Sequence, residues 1–554
     1  MHKRPILALL LGVVSLSALA QRIAPPPDAA SEVQNIFAPF NHTDTPGCAV
    51  GASIDGATVL SAAYGMADLE HNISLSPDSV FEPGSVTKQF TAAAVLLLEQ
   101  EGKLSLDDPV RKYIPELPDY GSTITVRHLL NHTSGLRDWG SVAAIGGWPR
   151  TTRVNSNMNV LDIATRQKVL NYPPGAEWSY TNTGFNLLAI LVGRVAGKSL
   201  AEFTRERIFV PLGMTSTEWR DDFQRIVHNR AIAYSQIGGA TRQEMPFENA
   251  YGNGGLLTTV GDLLRWNRNF TEMKVGGPAF VKAQQQQGRL NDGRTVAYAA
   301  GLEVLSYKGL REVSHPGSTA GYSGWLGRYP DQGLSVALLC NTGAADPIQL
   351  AHAVADVYLA GVLPKRPAQA PVQVDSASLQ ARAGLYRSLR DHRTISIELK
   401  DGHLVAVRPG SDAPPSMMKV VSAKSFIVGE DGPIAEFEAD SSGKVVRLRF
   451  EDDEGKPYYY EKVEWANPSR ADLDAMTGEY ASDEAEVTLR VALEQDRLVI
   501  RRRPDAIIPL TPTYRDGFSS SLGSVRFIRD SGGHVIEMSI GGQRVWDLRL
   551  RRIQ

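Results

Sequence analysis

The sequence predicts an α+β domain, an antiparallel sheet flanked by helices, followed by two small all-β barrel domains. Three observations predict it. Strand-like runs stand at both ends of the region from about residue 30 to 363, with strongly helical sequence between them. A proline-bearing stretch without periodicity, 364–372, comes next. Beyond it the chain turns to short alternating runs that recur at a constant offset.

In the first region Cys48 to Ile54 and Ala57 to Gly65 read as a hairpin of half-buried strands, turning at Asp55-Gly56. Gln89 to Gln100 is helical and apolar on most faces, with Gly102 as a stop signal, so this helix belongs between other layers. Gly321 to Arg328 and Leu334 to Asn341 again read as strands, parted by the turn composition of Tyr329-Pro330-Asp331-Gln332-Gly333. Strands at both ends imply that the chain returns to its starting sheet. Past the linker, Thr394 to Leu399 and Val445 to Phe450 alternate apolar and polar residues between Asp-Gly and Ser-Gly turns. Here Leu379, Gly384, Tyr386, Leu404 and Val405 recur as Leu473, Gly478, Tyr480, Leu498 and Val499, every pair 94 residues apart. Two copies of one β module account for that. The resulting division is a signal peptide at 1–20, a first domain at 21–363, a linker at 364–372 and barrel modules at 373–466 and 467–554.

His2, Lys3 and Arg4 precede an apolar core from Ile6 to Leu19 and a small-residue site at Ala18-Leu19-Ala20, the pattern of an export signal. That core is too short to span a bilayer, and no later uninterrupted run is long enough. The expectation is a periplasmic or secreted protein with no membrane span. With 58 basic against 61 acidic residues the chain carries no electrostatic footprint for nucleic acid. Cys48 and Cys340 have no metal-site spacing, and a disulfide or two buried thiols fit them equally.

A serine nucleophile needs a base within reach, because its hydroxyl is protonated at neutral pH. Ser85-Val86-Thr87-Lys88 offers one, since a lysine one helical turn beyond the serine shares its face. Ser416-Met417-Met418-Lys419 and Ser441-Ser442-Gly443-Lys444 repeat the spacing, but the first follows two prolines and the second sits on a turn between strands. Two further elements follow in order: Tyr180-Thr181-Asn182, after the Tyr172-Pro173-Pro174-Gly175 turn, and His315-Pro316-Gly317-Ser318 in the later strand region.

These three elements, with Phe81 to Gly84, Arg127 to Leu136, Tyr180 to Leu188 and Pro211 to Met214 around them, resemble the penicillin-binding protein and class C β-lactamase superfamily of serine hydrolases. The likeness covers about 48 to 342. It implies a β-lactamase/transpeptidase-like fold in which Ser85 is acylated, Lys88 holds or accepts the proton and Tyr180 acts as general base or relay. Acting as base or relay requires the Lys88 charge to pull down a phenol pKa of about 10. Asn182, His315, Gly317 and Ser318 would meet the substrate, with the main-chain N–H groups of Ser85 and Ser318 forming the oxyanion hole. The superfamily's sheet also places its first and last strands side by side, which bears on the two cysteines.

Where typical β-lactamases carry Lys-Thr-Gly, this chain has His315-Pro316-Gly317. A permanent charge and a hydroxyl that grip a substrate carboxylate are thereby lost, which disfavours β-lactams. The His-x-Gly variant resembles the motif of D-aminopeptidases, some D-Ala-D-Ala carboxypeptidases and several esterases of this superfamily, and the two barrels resemble the D-aminopeptidase architecture. The expected activity is cleavage of an amide or ester, first in D-amino-acid-containing peptides (D-aminopeptidase or D-Ala-D-Ala carboxypeptidase type). Carboxylesterase or weak β-lactamase activity is the alternative on the same fold, and a non-hydrolytic penicillin-binding envelope protein the alternative outside it. No cofactor or metal is expected: His128 and His132 stand four apart, but Leu129 occupies the place of a zinc hydrolase's glutamate and both histidines read as structural.

Overall fold

The computed structural model describes residues 23–553 except 151, 364–371, 412, 430–431 and 452–456. The expected signal peptide and nearly all of the expected linker lie outside the described residues.

Six antiparallel strands form the first sheet: β1 (Cys48–Ile54), β2 (Ala57–Tyr64), β3 (Glu303–Tyr307), β4 (Leu310–Thr319), β5 (Tyr322–Tyr329) and β6 (Leu334–Cys340). Their order is β2-β1-β6-β5-β4-β3. The chain does return to its start, because β1 pairs with β6 from Cys48 opposite Cys340 to Ile54 opposite Leu334. That register sets the two cysteines side by side, and they form a disulfide. Strands β1, β5 and β6 are buried along their whole length because helices cover both faces. The helices α1 (Ala29–Ile36) and α5 (Pro347–Leu359) pack on one side, and α4 (Val260–Glu272) on the other.

Between them in sequence lie α2 (Lys88–Gln100) and α3 (Asn182–Ala196), which pack against each other. Every residue of α2 from Lys88 to Leu98 is buried. A helix apolar on nearly all sides can be satisfied only by neighbours all round, and α2 has them.

Downstream, eight antiparallel strands from Gly384–Ser388 to Pro457–Val463 close into a barrel. A second all-β module, from Gly478–Ser482 to Val545–Arg552, is a single nine-stranded sheet curled into a nearly closed barrel. The 94-residue repeat is structural. Leu379 and Leu473 lie in short helices, Ser376–Arg382 and Arg470–Met476, each leading into a strand that begins at Gly384 or Gly478. Tyr386 and Tyr480 are both fully buried, and each hydroxyl donates to the carbonyl four residues upstream, Arg382 O at 2.6 Å and Met476 O at 2.8 Å.

The second module shares a core with the first domain. Trp139, Val142, Ile145, Val160 and Ile163 pack in one apolar cluster with barrel residues such as Leu489, Met538 and Leu548. Polar ties ring that cluster: Arg137 donates to Glu484 Oε2 and to the Asp547 carbonyl, each at 2.6 Å, and the Lys168 N–H donates to Glu484 at 2.8 Å. Breaking one partner of such a buried pair is costly, so the barrel is anchored rather than tethered.

Candidate active site

Ser85 lies in a 3₁₀ turn, Gly84–Thr87, that runs straight into α2. At three residues per turn the side chains of i and i+3 eclipse, which stacks Lys88 over Ser85. Lys88 Nζ stands 3.0 Å from Ser85 Oγ. The amine is wholly buried and also donates to Asn182 Oδ1 at 2.9 Å and to the Asn253 carbonyl at 2.6 Å. Burial first, then the nearby Arg544 and Arg150 charges, hold its pKa well below the ordinary lysine value, against a weaker opposing pull from Asp138. A neutral amine has two N–H groups and one lone pair. The two carbonyl oxygens take the N–H groups, and the lone pair is left to the Ser85 hydroxyl.

Asn182 opens α3, capped by the Thr181 hydroxyl, and its own N–H donates to Asp138 Oδ2 at 2.8 Å. Asp138 in turn caps the helix Trp139–Ile145. The Asn253 loop is held from behind by a buried ion pair: Arg220 donates to both oxygens of Glu82 at 2.7 and 3.0 Å, and Glu82 also accepts the Gly255 N–H at 3.1 Å. Neither partner exposes its side chain, so Lys88 rests on a rigid frame.

Tyr180 packs beside this pair, its ring centroid 4.9 Å from Lys88 Nζ. Its buried hydroxyl faces Ser85 without reaching hydrogen-bond geometry to any described residue. Burial raises its pKa, and the Ser85 hydroxyl and the Arg544 charge only partly oppose this. A phenol pulled down by the Lys88 charge, the condition set for Tyr180 as base or relay, is not what its surroundings produce. Burial thus favours the neutral amine at Lys88 and the neutral hydroxyl at Tyr180.

The third element lies on β4. Gly317 presses so close to the nucleophile turn that a β-carbon there would stand 2.0 Å from Pro83 O and 2.6 Å from Ser85 N. Gly84, at φ +53°, makes the reciprocal approach: a β-carbon on it would stand 2.4 Å from Ser318 N. Only glycines permit so close a meeting of the Ser85 turn with the strand that carries Ser318. Strand β3 pairs with β4 only as far as Ser314 opposite Glu303, so among the described residues no strand lies beside the outer edge of β4 at Pro316 to Ser318.

His315 is placed differently from a substrate-gripping side chain. It is buried, its Nδ1 donates to the Pro316 carbonyl at 2.6 Å, and Nε2 lies 2.8 Å from the Tyr298 hydroxyl. Burial and the neighbouring Lys88 push its pKa down to about 3, so it carries no charge into the cleft. His132 is a neutral aromatic support, with ring centroids 4.2 Å from Tyr180 and 4.5 Å from Tyr298, and it accepts the Thr181 N–H at 3.3 Å. His128 closes a capping box with Thr125. Sequence reasoning missed the Asn253 carbonyl, Asp138 and one residue from the second barrel, Arg544. Its guanidinium carbon lies 4.8 Å from the Tyr180 ring centroid.

Fold and site together define the β-lactamase/transpeptidase-like class. Residues 33–359 match the Beta-lactamase family, and the chain belongs to it. It is 27% identical over 538 residues to the D-aminopeptidase of Brucella anthropi, covering 93% of this chain and 96% of that one. It is 30% identical over 306 residues to penicillin-binding protein 4* of Bacillus subtilis, covering 52% of this chain and 67% of the relative. Among solved structures, the octameric penicillin-binding protein homologue from Pyrococcus abyssi superposes with a TM-score of 0.56 at 24% identity, over 78% of this chain and 99% of its own. The D-amino acid amidase from Ochrobactrum anthropi superposes with a TM-score of 0.52 at 24% identity, over 60% of this chain and 97% of its own. These two likenesses speak to fold alone.

Proposed function

We propose that the chain is an exported serine hydrolase that cleaves an amide or ester through an acyl-Ser85 intermediate, with D-amino-acid-containing peptides as its first substrate class. The observation that carries the mechanism is the 3.0 Å contact between Ser85 Oγ and a Lys88 amine whose N–H groups are already given to two carbonyls. As Ser85 Oγ attacks the scissile carbonyl, its proton passes to the Lys88 lone pair, and the carbonyl oxygen becomes an oxyanion facing the Ser85 and Ser318 N–H groups. Collapse breaks the carbonyl–nitrogen bond. The Tyr180 hydroxyl gives its proton to the leaving nitrogen and is refilled from the Lys88 ammonium, which leaves both groups as they began. Water then attacks the ester by the same path in reverse, with Lys88 taking its proton through Tyr180. Water's oxygen stays in the acid product, and Ser85 regains its hydrogen.

The substrate class is supported by the D-aminopeptidase likeness, which runs through both barrel modules. The neutral, buried His315 departs from the charged third motif of typical β-lactamases, which supports ranking β-lactams below peptides and esters. Export is supported by the Cys48–Cys340 disulfide, a bond that persists in oxidising compartments. A turnover panel of a D-alanyl peptide, a D-amino-acid amide, a nitrophenyl ester and a chromogenic cephalosporin tests the reading. Turnover led by the D-alanyl peptide is expected. Binding without turnover of any of the four would replace the reading with a non-hydrolytic penicillin-binding protein.

A further inference from the structure

Arg544 sits in the turn between strands Val535–Gly542 and Val545–Arg552 of the second barrel, and that turn is built into the first domain. The Arg544 carbonyl accepts the Asp138 N–H at 3.2 Å and Asn171 Nδ2 at 3.1 Å, while Trp546, two positions on, donates its N–H to Asn171 Oδ1 at 3.0 Å. The Trp546 ring packs on Tyr172 with centroids 5.0 Å apart. The backbone that carries Arg544 is thus fixed to Asp138, the same residue that holds the Asn182 N–H.

Its side chain is arranged unlike those of its neighbours. Other arginines at this domain boundary are spoken for: Arg137 by Glu484 at 2.6 Å, Arg390 by Glu177 at 2.7 Å, Arg503 by the Gly146 carbonyl at 2.7 Å. Arg150, the other cation acting on Lys88, is paired with Glu248 at 2.8 Å. Among the described residues no carboxylate lies within ion-pair distance of the half-buried Arg544 guanidinium, whose one described partner is the face of Tyr180. A permanent, unpaired cation therefore stands beside the reactive centre, at a site whose own third motif supplies no charge.

We propose that Arg544 binds an anionic group of the substrate, so that the enzyme prefers acyl substrates bearing a free carboxylate near the scissile bond to neutral or amine-bearing ones. This rests on the hydrolase reading above and narrows it: among D-peptides, those cleaved next to a C-terminal carboxylate are favoured over those recognised by a free N-terminal amine. Guanidinium and carboxylate match as a fork, and a substrate ammonium would meet repulsion in the same place. A charge delivered by the barrel takes over the gripping function that His315-Pro316-Gly317 lacks.

The test uses the full-length chain and compares kcat/KM for N-acetyl-D-alanyl-D-alanine with that for its C-terminal amide. Wild type is expected to favour the carboxylate at least tenfold. In Arg544→Gln that ratio falls toward unity, mainly through KM; Arg544→Lys keeps part of it, and Arg544→Glu reverses it. An unchanged ratio in Arg544→Gln overturns the proposal, as does an equal fall of both substrates in kcat alone, which would make Arg544 a support for Tyr180. If wild type hydrolyses neither peptide, the D-peptide reading fails, and Arg544 is judged on the rate of Ser85 modification by a neutral alkyl fluorophosphonate and its carboxylate-bearing analogue. A ratio of those rates that shifts with Arg544→Gln upholds the charge role, and an unshifted ratio rejects it.

Discussion

Gly317 and Ser85 meet backbone to backbone: a β-carbon on the glycine would lie 2.6 Å from the serine's main-chain nitrogen. No side chain stands between them to yield, so the strand and the nucleophile turn fit only if residue 317 is glycine. Gly317→Ala, and equally Gly84→Ala against Ser318, would spread the two N–H groups meant for the oxyanion. Loss of one such donor costs about 10²–10³-fold in kcat. Stopped-flow acylation should show that fall while the melting transition survives. Alanine variants with wild-type acylation rates would remove the oxyanion role from these nitrogens.

Lys88 must be neutral to accept a proton, and its pKa lies well below the ordinary lysine value. The sign follows: at low pH the amine is protonated and acylation is slow, and the rate rises with pH through the depressed pKa to a plateau reached below the usual lysine range of about 10.4. Lys88→Arg keeps a cation that cannot act as base, and should lose about 10²–10⁴-fold at every pH. A pH–kcat/KM profile with its inflection at an unshifted lysine would contradict the account.

Glu82 neutralises Arg220 where both side chains are almost wholly shut off from water. Glu82→Gln leaves the guanidinium buried with its charge uncompensated, and Arg230, 3.9 Å away, adds to the imbalance. The expected cost is about 3–5 kcal/mol by urea unfolding. Because Glu82 also holds the Gly255 N–H beside the Asn253 loop, kcat should fall with it. A variant of wild-type stability would show that the pair is not what frames Lys88.

The Cys48–Cys340 disulfide closes a loop of 292 residues between neighbouring strands. Its removal by paired alanine substitution should cost about 2–5 kcal/mol. Intact mass after alkylation checks the bond itself: thiols that alkylate only after reduction are expected, and alkylation without reduction would exclude it.

Much of this could be read in the sequence because it is local. Asp55-Gly56 between alternating runs marked the β1–β2 hairpin, and the observed strands differ from the expected ones by a residue at an end. Ser85 and Lys88 lie within one turn, so their spacing implies their contact. The 94-residue repeat was visible because Tyr386 and Tyr480 perform one buried task twice. What escaped was long-range or carried no side-chain signature. The third partner of Lys88 is a backbone carbonyl, at Asn253, which any residue possesses. Arg544 is one arginine among many until the barrel docks and its turn reaches Asp138. The protonation order of Lys88 and Tyr180 also depends on burial from all sides, which no local pattern encodes.

The central claim is that Ser85 alone carries the acyl group, activated by Lys88. Incubation with a fluorophosphonate, read by intact and peptide mass, tests it most directly. The account predicts a single adduct on the peptide containing Ser85 and none on Ser85→Ala. Undiminished labelling of Ser85→Ala, or an adduct mapped to any other residue, would contradict it.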